Sequence, residues 1–391
     1  MNNKTTKIAA VVFVICFALF ISAMAVFTVT SDKSRYSYFE NRTRAAKPEI
    51  TKAGLLDGSF MTDAETYAKE YVCLRDKWLT ADTAVSLMLG RPVVNGVVVT
   101  DTVLLPELTD MTDSDESITK QAEKIASNLL AHKEQVEAYG GHFLYVAVPC
   151  QYVCYEDAYP WYLPNKAEYT AKSSAALFAA LDEAGVDYTD MLSVFGDGAK
   201  RYSSAIDNHF GMDGAYLTYR EIIMKLNEGG VGAPLMAESD FTREVLPNRY
   251  LGSRTRKLLG IAKSDEKLTV LYPKDDIPFT RSDGGKAADA SVYDIPATDK
   301  DALYGVYMGG DIPETVIDTG RHDLPTVLIY GDSFTNAVEC AAWCSFDKMY
   351  SFDFRYYDGK TLAELISELR PDAVVCIRDF EAMLSPYANG Q

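Results

Sequence analysis

Apolar positions in this chain fall into three patterns. One is an uninterrupted run over 8–30. The second is a set of short, β-branched stretches at 142–149, 327–330, 349–354 and 373–377, each bounded by turn residues. Such runs read as strands buried on both faces. The third is helical spacing, which predicts helices over 61–89, 117–139, 166–184, 215–226, 336–344 and 362–369. A short strand is expected at 186–189 and a hairpin over 93–105, with Asn95-Gly96 as its turn. The alternation of strand and helix predicts a mostly parallel sheet with helices on both faces. It is interrupted over 241–325, where Gly, Asp, Lys and Arg dominate; loops and antiparallel strands are expected there. The helical pattern of 61–89 places Tyr67, Tyr71, Leu74 and Trp78 on one face.

The first run changes the location of everything after it. Residues 8–30 carry no charge and follow Lys4 and Lys7. As a helix they span roughly 34 Å, enough for the hydrocarbon core of a bilayer. Cleaved signal segments have shorter apolar regions, so an uncleaved anchor is expected, with secretion after cleavage as the alternative. Either way the lysines stay inside and residues 31–391 lie outside the cytoplasm. The domain division that follows is 1–30 as anchor or signal, 31–110 as a helix and hairpin extension, and 111–391 as the α/β domain with its insertion.

Charge and cysteine content narrow the partners. The formal net charge is −18 with no basic stripe, which argues against nucleic acid and favours a neutral partner over a polyanion. Arg249, Arg254 and Arg256 read as solvated surface charges, or else as a local positive patch. Six cysteines follow the apolar run, a number that permits disulfides without fixing their pairing. The spacings of Cys150 with Cys154 and Cys340 with Cys344 do not match a zinc ribbon, so no metal and no organic cofactor is expected. Cys340 and Cys376 read as small buried apolar residues.

The candidate chemistry lies where the strand at 327–330 ends in Gly331-Asp332-Ser333 and a helix begins. A serine on such a turn has an exposed hydroxyl and faces the free N–H groups of a helix N-terminus. The bland alternative is that Asp332 or Ser333 only caps the helix. A serine nucleophile needs a base, and the chain has four histidines. His322 lies at the far end of the serine's own strand, roughly 16 Å from the turn. His132 sits inside a helix and His142 opens a strand. His209 remains, and Asp207 two residues earlier shares its side in an extended segment. A carboxylate there orients the imidazole, which takes the serine proton. The alternative is a surface aspartate capping the helix after Gly214, with His209 packed beside it.

Several pieces, taken in order, resemble the DHHW family of exported proteins, relatives of the SGNH hydrolase-like alginate O-acetyltransferase-like proteins. They are Glu40-Asn41-Arg42 with Pro48, Asp57-Gly58, Ala205-Ile206-Asp207-Asn208-His209-Phe210, Gly214-Ala215-Tyr216, Tyr307-Met308-Gly309-Gly310, Gly331-Asp332-Ser333-Phe334, Asp353-Phe354-Arg355-Tyr356-Tyr357 and Pro371-Asp372. The resemblance implies an SGNH-like three-layer fold with permuted motif order, in which Asp-x-His precedes the serine. It implies acyl chemistry on cell-surface polysaccharide, often beside a membrane-bound O-acyltransferase. Position by position it implies Ser333 as nucleophile, His209 as base and Asp207 as orienter, with Gly310, Asp311 and Asp332 at the oxyanion and substrate side.

The chain departs from the family pattern twice. The namesake Asp-His-His-Trp reads Asp207-Asn208-His209-Phe210, which alters expected substrate contacts. Asp311 stands where the family tends to carry asparagine, and an ionised carboxylate donates no hydrogen bond. Oxyanion support would then come from backbone N–H groups at Ser333 and Gly310. Two functions follow: a serine-dependent O-acetyltransferase or acetylesterase, and a non-catalytic glycan-binding or assembly protein on the same fold.

Overall fold

The structure is a computed structural model that describes residues 3–30, 34–40, 42–111 and 113–386. Asn41 of the Glu40-Asn41-Arg42 motif and Ser31 lie outside the described residues. Backbone contacts divide the chain into two compact units, Met1–Asn95 with Arg256–Ala262, and Gly96–Thr255 with Lys263–Gln391.

In the first unit, helix α1 runs over Asn3–Thr30, and its Thr5–Thr28 stretch is long and apolar enough to cross a membrane. The helical pattern over 61–89 is not one helix. It is α2 (Ser59–Glu70) and α3 (Arg75–Met88), separated by Leu74 at φ 58°. A left-handed residue cannot continue an α-helix, so the expected face of Tyr67, Tyr71, Leu74 and Trp78 is divided, and Trp78 is exposed. Asp57-Gly58 has a backbone role. Gly58, at φ 83°, ends the Lys52–Asp57 helix, and the Asp57 carboxylate accepts the Ser59 N–H at 2.9 Å. Arg42 bridges Glu40 (3.1 Å) and Glu70 (2.7 Å), and Arg75 pairs with Glu40 at 2.9 Å.

The second unit holds the main sheet. Its strands in chain order are β1 (His142–Val148), β2 (Tyr188–Asp190), β3 (Thr280–Asp283), β4 (Lys286–Ala288), β5 (Glu314–Asp318), β6 (Val327–Gly331), β7 (Lys348–Phe352) and β8 (Ala373–Asp379). Their spatial order is β4-β3-β5-β7-β6-β8-β1-β2. The strands from β7 to β2 are parallel to one another; β4, β3 and β5 form an antiparallel edge. Every residue of β6 and β8 is buried, as their apolar sequences require. Helices α4 (Asp115–Glu137), α5 (Ala167–Ala184) and α8 (Leu362–Leu369) pack together as one layer, and α6 (Met212–Glu228) packs on α7 (Phe334–Ala342) as the other. This is the three-layer α/β architecture expected.

The insertion over 241–325 is more integrated than its composition indicates. Phe241–Val245 pairs antiparallel with Thr269–Pro273, while three further strands of the insertion extend the main sheet. The expected hairpin turn is present, with Asn95 at φ 52° and Gly96 at φ 72°.

The core also buries ionisable groups. Glu339 on α7 is 1% exposed, and its carboxylate accepts the Ser351 hydroxyl at 2.7 Å. Burial pushes its pKa up to about 7, against roughly 4.3 when unfolded. Between those values the folded state keeps a proton that the unfolded state has lost. Stability therefore falls as pH rises through that window and levels off above it. Glu339→Gln is expected to reduce the loss of stability between pH 5 and pH 8 by up to about 3 kcal/mol. Denaturation of both proteins at the two pH values measures it; equal pH dependence would count against the assignment. Asp379 contributes a slope of the same sign that remains in the variant.

Candidate active site

Three adjacent parallel strands, β6, β8 and β1, end at the same edge of the sheet, the edge where α/β proteins place their sites. The turn after β6 requires Gly331, because a β-carbon there would collide with the Ile377 carbonyl oxygen on the neighbouring strand. Ser333 follows in helical conformation and opens α7, but its hydroxyl makes no capping bond. The Oγ instead lies 2.7 Å from His209 Nε2. His209 Nδ1 lies 2.6 Å from Asp207 Oδ1, and the ring is mostly buried. The three residues singled out from the sequence thus form one hydrogen-bonded line.

Local structure explains how the Asp207–His209 segment is held. Asp207 Oδ1 also accepts the His209 N–H at 3.2 Å, and Oδ2 accepts the Ser253 N–H at 2.5 Å. The Ser253 donor comes this close because Gly252 has no β-carbon to strike the Ile206 carbonyl. Burial alone would raise the Asp207 carboxyl, but His209 and these N–H donors outweigh it and hold the pKa well below the usual carboxylate range. With Asp207 accepting at Nδ1, the Nε2 lone pair faces the Ser333 hydroxyl. Tyr304 lies flat on the His209 ring, centroids 3.7 Å apart and planes within 6°, and Phe334 packs against the ring at 4.8 Å.

The substituted motif positions have structural roles. Asn208 accepts from Arg254 Nη2 at 3.0 Å, and Arg254 Nε donates to Gln151 at 3.1 Å. Arg254 is therefore not a solvated charge. It is 7% exposed and braces the segment from behind, while Arg249 pairs with Asp301 at 2.7 Å. Phe210 is buried edge-on against Phe334, so it belongs to the core rather than to a substrate wall.

The expected oxyanion and substrate residues are placed differently. Asp332 is 4% exposed and its acceptors are all engaged, by the Phe334 N–H (3.0 Å), Arg378 Nη1 (2.9 Å) and the Asp379 N–H (3.1 Å). It braces the turn. The Gly310 N–H already donates to the Tyr307 carbonyl at 3.0 Å. Asp311 accepts from Asn336 on the first turn of α7 at 3.2 Å and pairs with Arg355 at 3.2 Å; Arg355 is also clamped by Asp353. Among the described residues the Ser333 N–H has no hydrogen-bond partner, leaving it available at the helix N-terminus.

Other participants were not legible in the sequence. Arg281, buried between strands, donates to the carbonyls of Ser291 and Met308, both at 2.6 Å, and so fixes the Met308-Gly309-Gly310 loop. All three of those loop residues have positive φ. The other histidines lie elsewhere: His322 faces Asp347 at 3.1 Å and His142 faces Asp187 at 3.5 Å. Cys150, Cys154, Cys340 and Cys344 are buried free thiols, and Cys376 is buried on β8.

No family model and no curated protein matches the chain. Solved structures do. Bacillus cereus PatB1 with a sulfonyl adduct is similar at a TM-score of 0.61 and 18% identity, over 75% of this chain and 98% of that one. A DHHW family protein from Eubacterium siraeum DSM 15702 is similar at 0.57 and 20% identity, over 75% and 93%. The chain accordingly has the SGNH-like three-layer α/β fold of these structures, with its Asp-x-His element ahead of the serine turn.

Proposed function

We propose that the chain is an extracytoplasmic, membrane-tethered enzyme that transfers or removes O-acetyl groups on polysaccharide, with Ser333, His209 and Asp207 as its working residues. The observation that carries the reading is the pair of bonds at 2.6 and 2.7 Å joining the three side chains. In the first half-reaction Ser333 Oγ attacks the acetyl carbonyl carbon and its proton passes to His209 Nε2. The tetrahedral oxyanion faces the free Ser333 N–H. As the carbonyl re-forms, the C–O bond to the leaving alcohol breaks and His209 returns the proton to that oxygen. In the second half-reaction water or a sugar hydroxyl repeats the attack on acetyl-Ser333. Water gives an esterase and a sugar gives a transferase. A membrane-bound O-acyltransferase, implied by the family resemblance, would supply the acetyl group in the second case.

The non-catalytic alternative draws on Asp311, which brings a carboxylate to the first turn of α7 and supplies no oxyanion donor. The ion pair with Arg355 offsets its charge. Because the similar PatB1 structure holds a sulfonyl adduct, a sulfonyl fluoride is a natural reagent for the test. Labelling of the wild type and not of Ser333→Ala supports the enzyme; equal labelling of both opposes it.

Tyr304 acts on this reading as a positioning residue, since its ring fixes the imidazole plane. Among the described residues its buried hydroxyl has no partner, so Tyr304→Phe is expected to keep full activity. Tyr304→Leu removes the flat contact and is expected to lower kcat about 10- to 100-fold with KM little changed. Ester turnover by the two variants measures this, and equal loss in both would contradict the stacking role.

A further inference from the structure

Trp161 is 93% exposed and Tyr162 55% exposed, with their rings edge to face at 5.7 Å. Large aromatic side chains usually bury this surface. The pair is not on a loose loop. Tyr159 beside it is buried and donates to the Pro106 carbonyl at 2.8 Å, the Leu163 N–H closes a turn onto Pro160 at 2.9 Å, and Pro160 and Pro164 flank the rings.

The place in the fold links the pair to the Ser333 site. Their connection leaves the C-terminal end of β1, two strands from β6 in the same parallel array. At strand spacing the two ends lie about 10 Å apart. The connection begins at Gln151, whose N–H donates to the Asn208 carbonyl, and closes at Lys166, which reaches Glu381 just past β8. The connection that carries the aromatic pair therefore begins and ends at the sheet edge from which Ser333 projects.

Charge selects the occupant. Lys166 is paired with Glu381, Lys200 with Asp157, and Lys172 with Asp115 and Glu168, while Glu156 adds further negative charge. These lysines are spent, and the chain carries a net −18. A polyanion or an anionic lipid surface is disfavoured here. The C–H faces of a sugar ring suit an exposed aromatic without needing charge. We propose that Trp161 and Tyr162 form a stacking subsite for a neutral, hydroxyl-rich glycan chain running along this edge of the sheet toward Ser333. The inference rests on the glycan-directed reading above and specifies its substrate class.

The test uses the full chain in detergent, in a Ser333→Ala background so that binding is read without turnover. Cellohexaose and N-acetylchitohexaose are the neutral probes and alginate the polyanion, followed by tryptophan fluorescence and calorimetry. At least one neutral probe is expected to bind, and Trp161→Ala is expected to weaken it roughly tenfold or more without moving the melting midpoint. Trp161→Phe should retain most of the affinity. Equal affinity in Trp161→Ala, no binding of either neutral probe, or tighter binding of alginate through Trp161 would overturn the proposal. So would a blue-shifted Trp161 emission in lipid nanodiscs without glycan, which would mark a membrane contact. Glycan binding without any Ser333 labelling in the wild type would leave this subsite standing and remove the catalytic reading.

Discussion

His209→Ala is expected to lower kcat for an acetyl ester by about a thousandfold or more, with KM nearly unchanged. His209 is the group aligned at 2.7 Å on the Ser333 hydroxyl, and its other nitrogen is committed to Asp207 at 2.6 Å. Without it the serine keeps its proton at neutral pH and is a poor nucleophile. Residues acting as one unit are not additive. The double variant His209→Ala with Ser333→Ala should therefore be no slower than Ser333→Ala alone. Steady-state turnover of 4-nitrophenyl acetate measures all three. A His209→Ala enzyme within a factor of a few of wild type would mean that the base lies elsewhere.

The second large effect concerns stability. Arg378 and Asp332 form an ion pair at 2.9 Å with side chains only 2% and 4% exposed. Asp379 lies beside them, and burial together with repulsion from Asp332 raises its pKa to about 7. Arg378→Met leaves the Asp332 carboxylate buried without its cation, though its two N–H donors remain. Breaking a buried pair from one side costs about 3–5 kcal/mol. Removing both charges in Arg378→Met with Asp332→Asn should recover much of that loss. Chemical denaturation of the single and double variants decides it. A single variant as stable as wild type, or a double variant no better than the single, would refute this account of the turn.

Much of this was legible because buried parallel strands announce themselves. The stretches that became β1, β6 and β8 are continuous apolar runs, since both faces are covered. Asp207 and His209 were legible from their two-residue spacing, and Ser333 from its strand-to-helix turn. The antiparallel edge was not. Thr280–Asp283 and Lys286–Ala288 are polar, and what makes them strands is pairing with distant residues. The break at Leu74 lies inside an unbroken helical pattern, so periodicity passes over it. Arg254 reads as a surface charge because nothing local marks Asn208 as its partner, and nothing local points from Arg378 to Asp332. Tyr304 carries no signal at all, since only the fold lays it on His209. Asp332 is the opposite case, in that the family resemblance implied a place on the substrate side while the structure turns its carboxylate inward.

The most direct measurement is intact mass of the full chain, wild type and Ser333→Ala, after incubation with 4-nitrophenyl acetate. An adduct of about +42 Da, the acetyl increment of an acyl-enzyme, is expected on the wild type only, with glycan acceptors then separating transferase from esterase. No adduct in either protein, together with equal background hydrolysis, would contradict it and leave a glycan-binding protein on an SGNH-like fold.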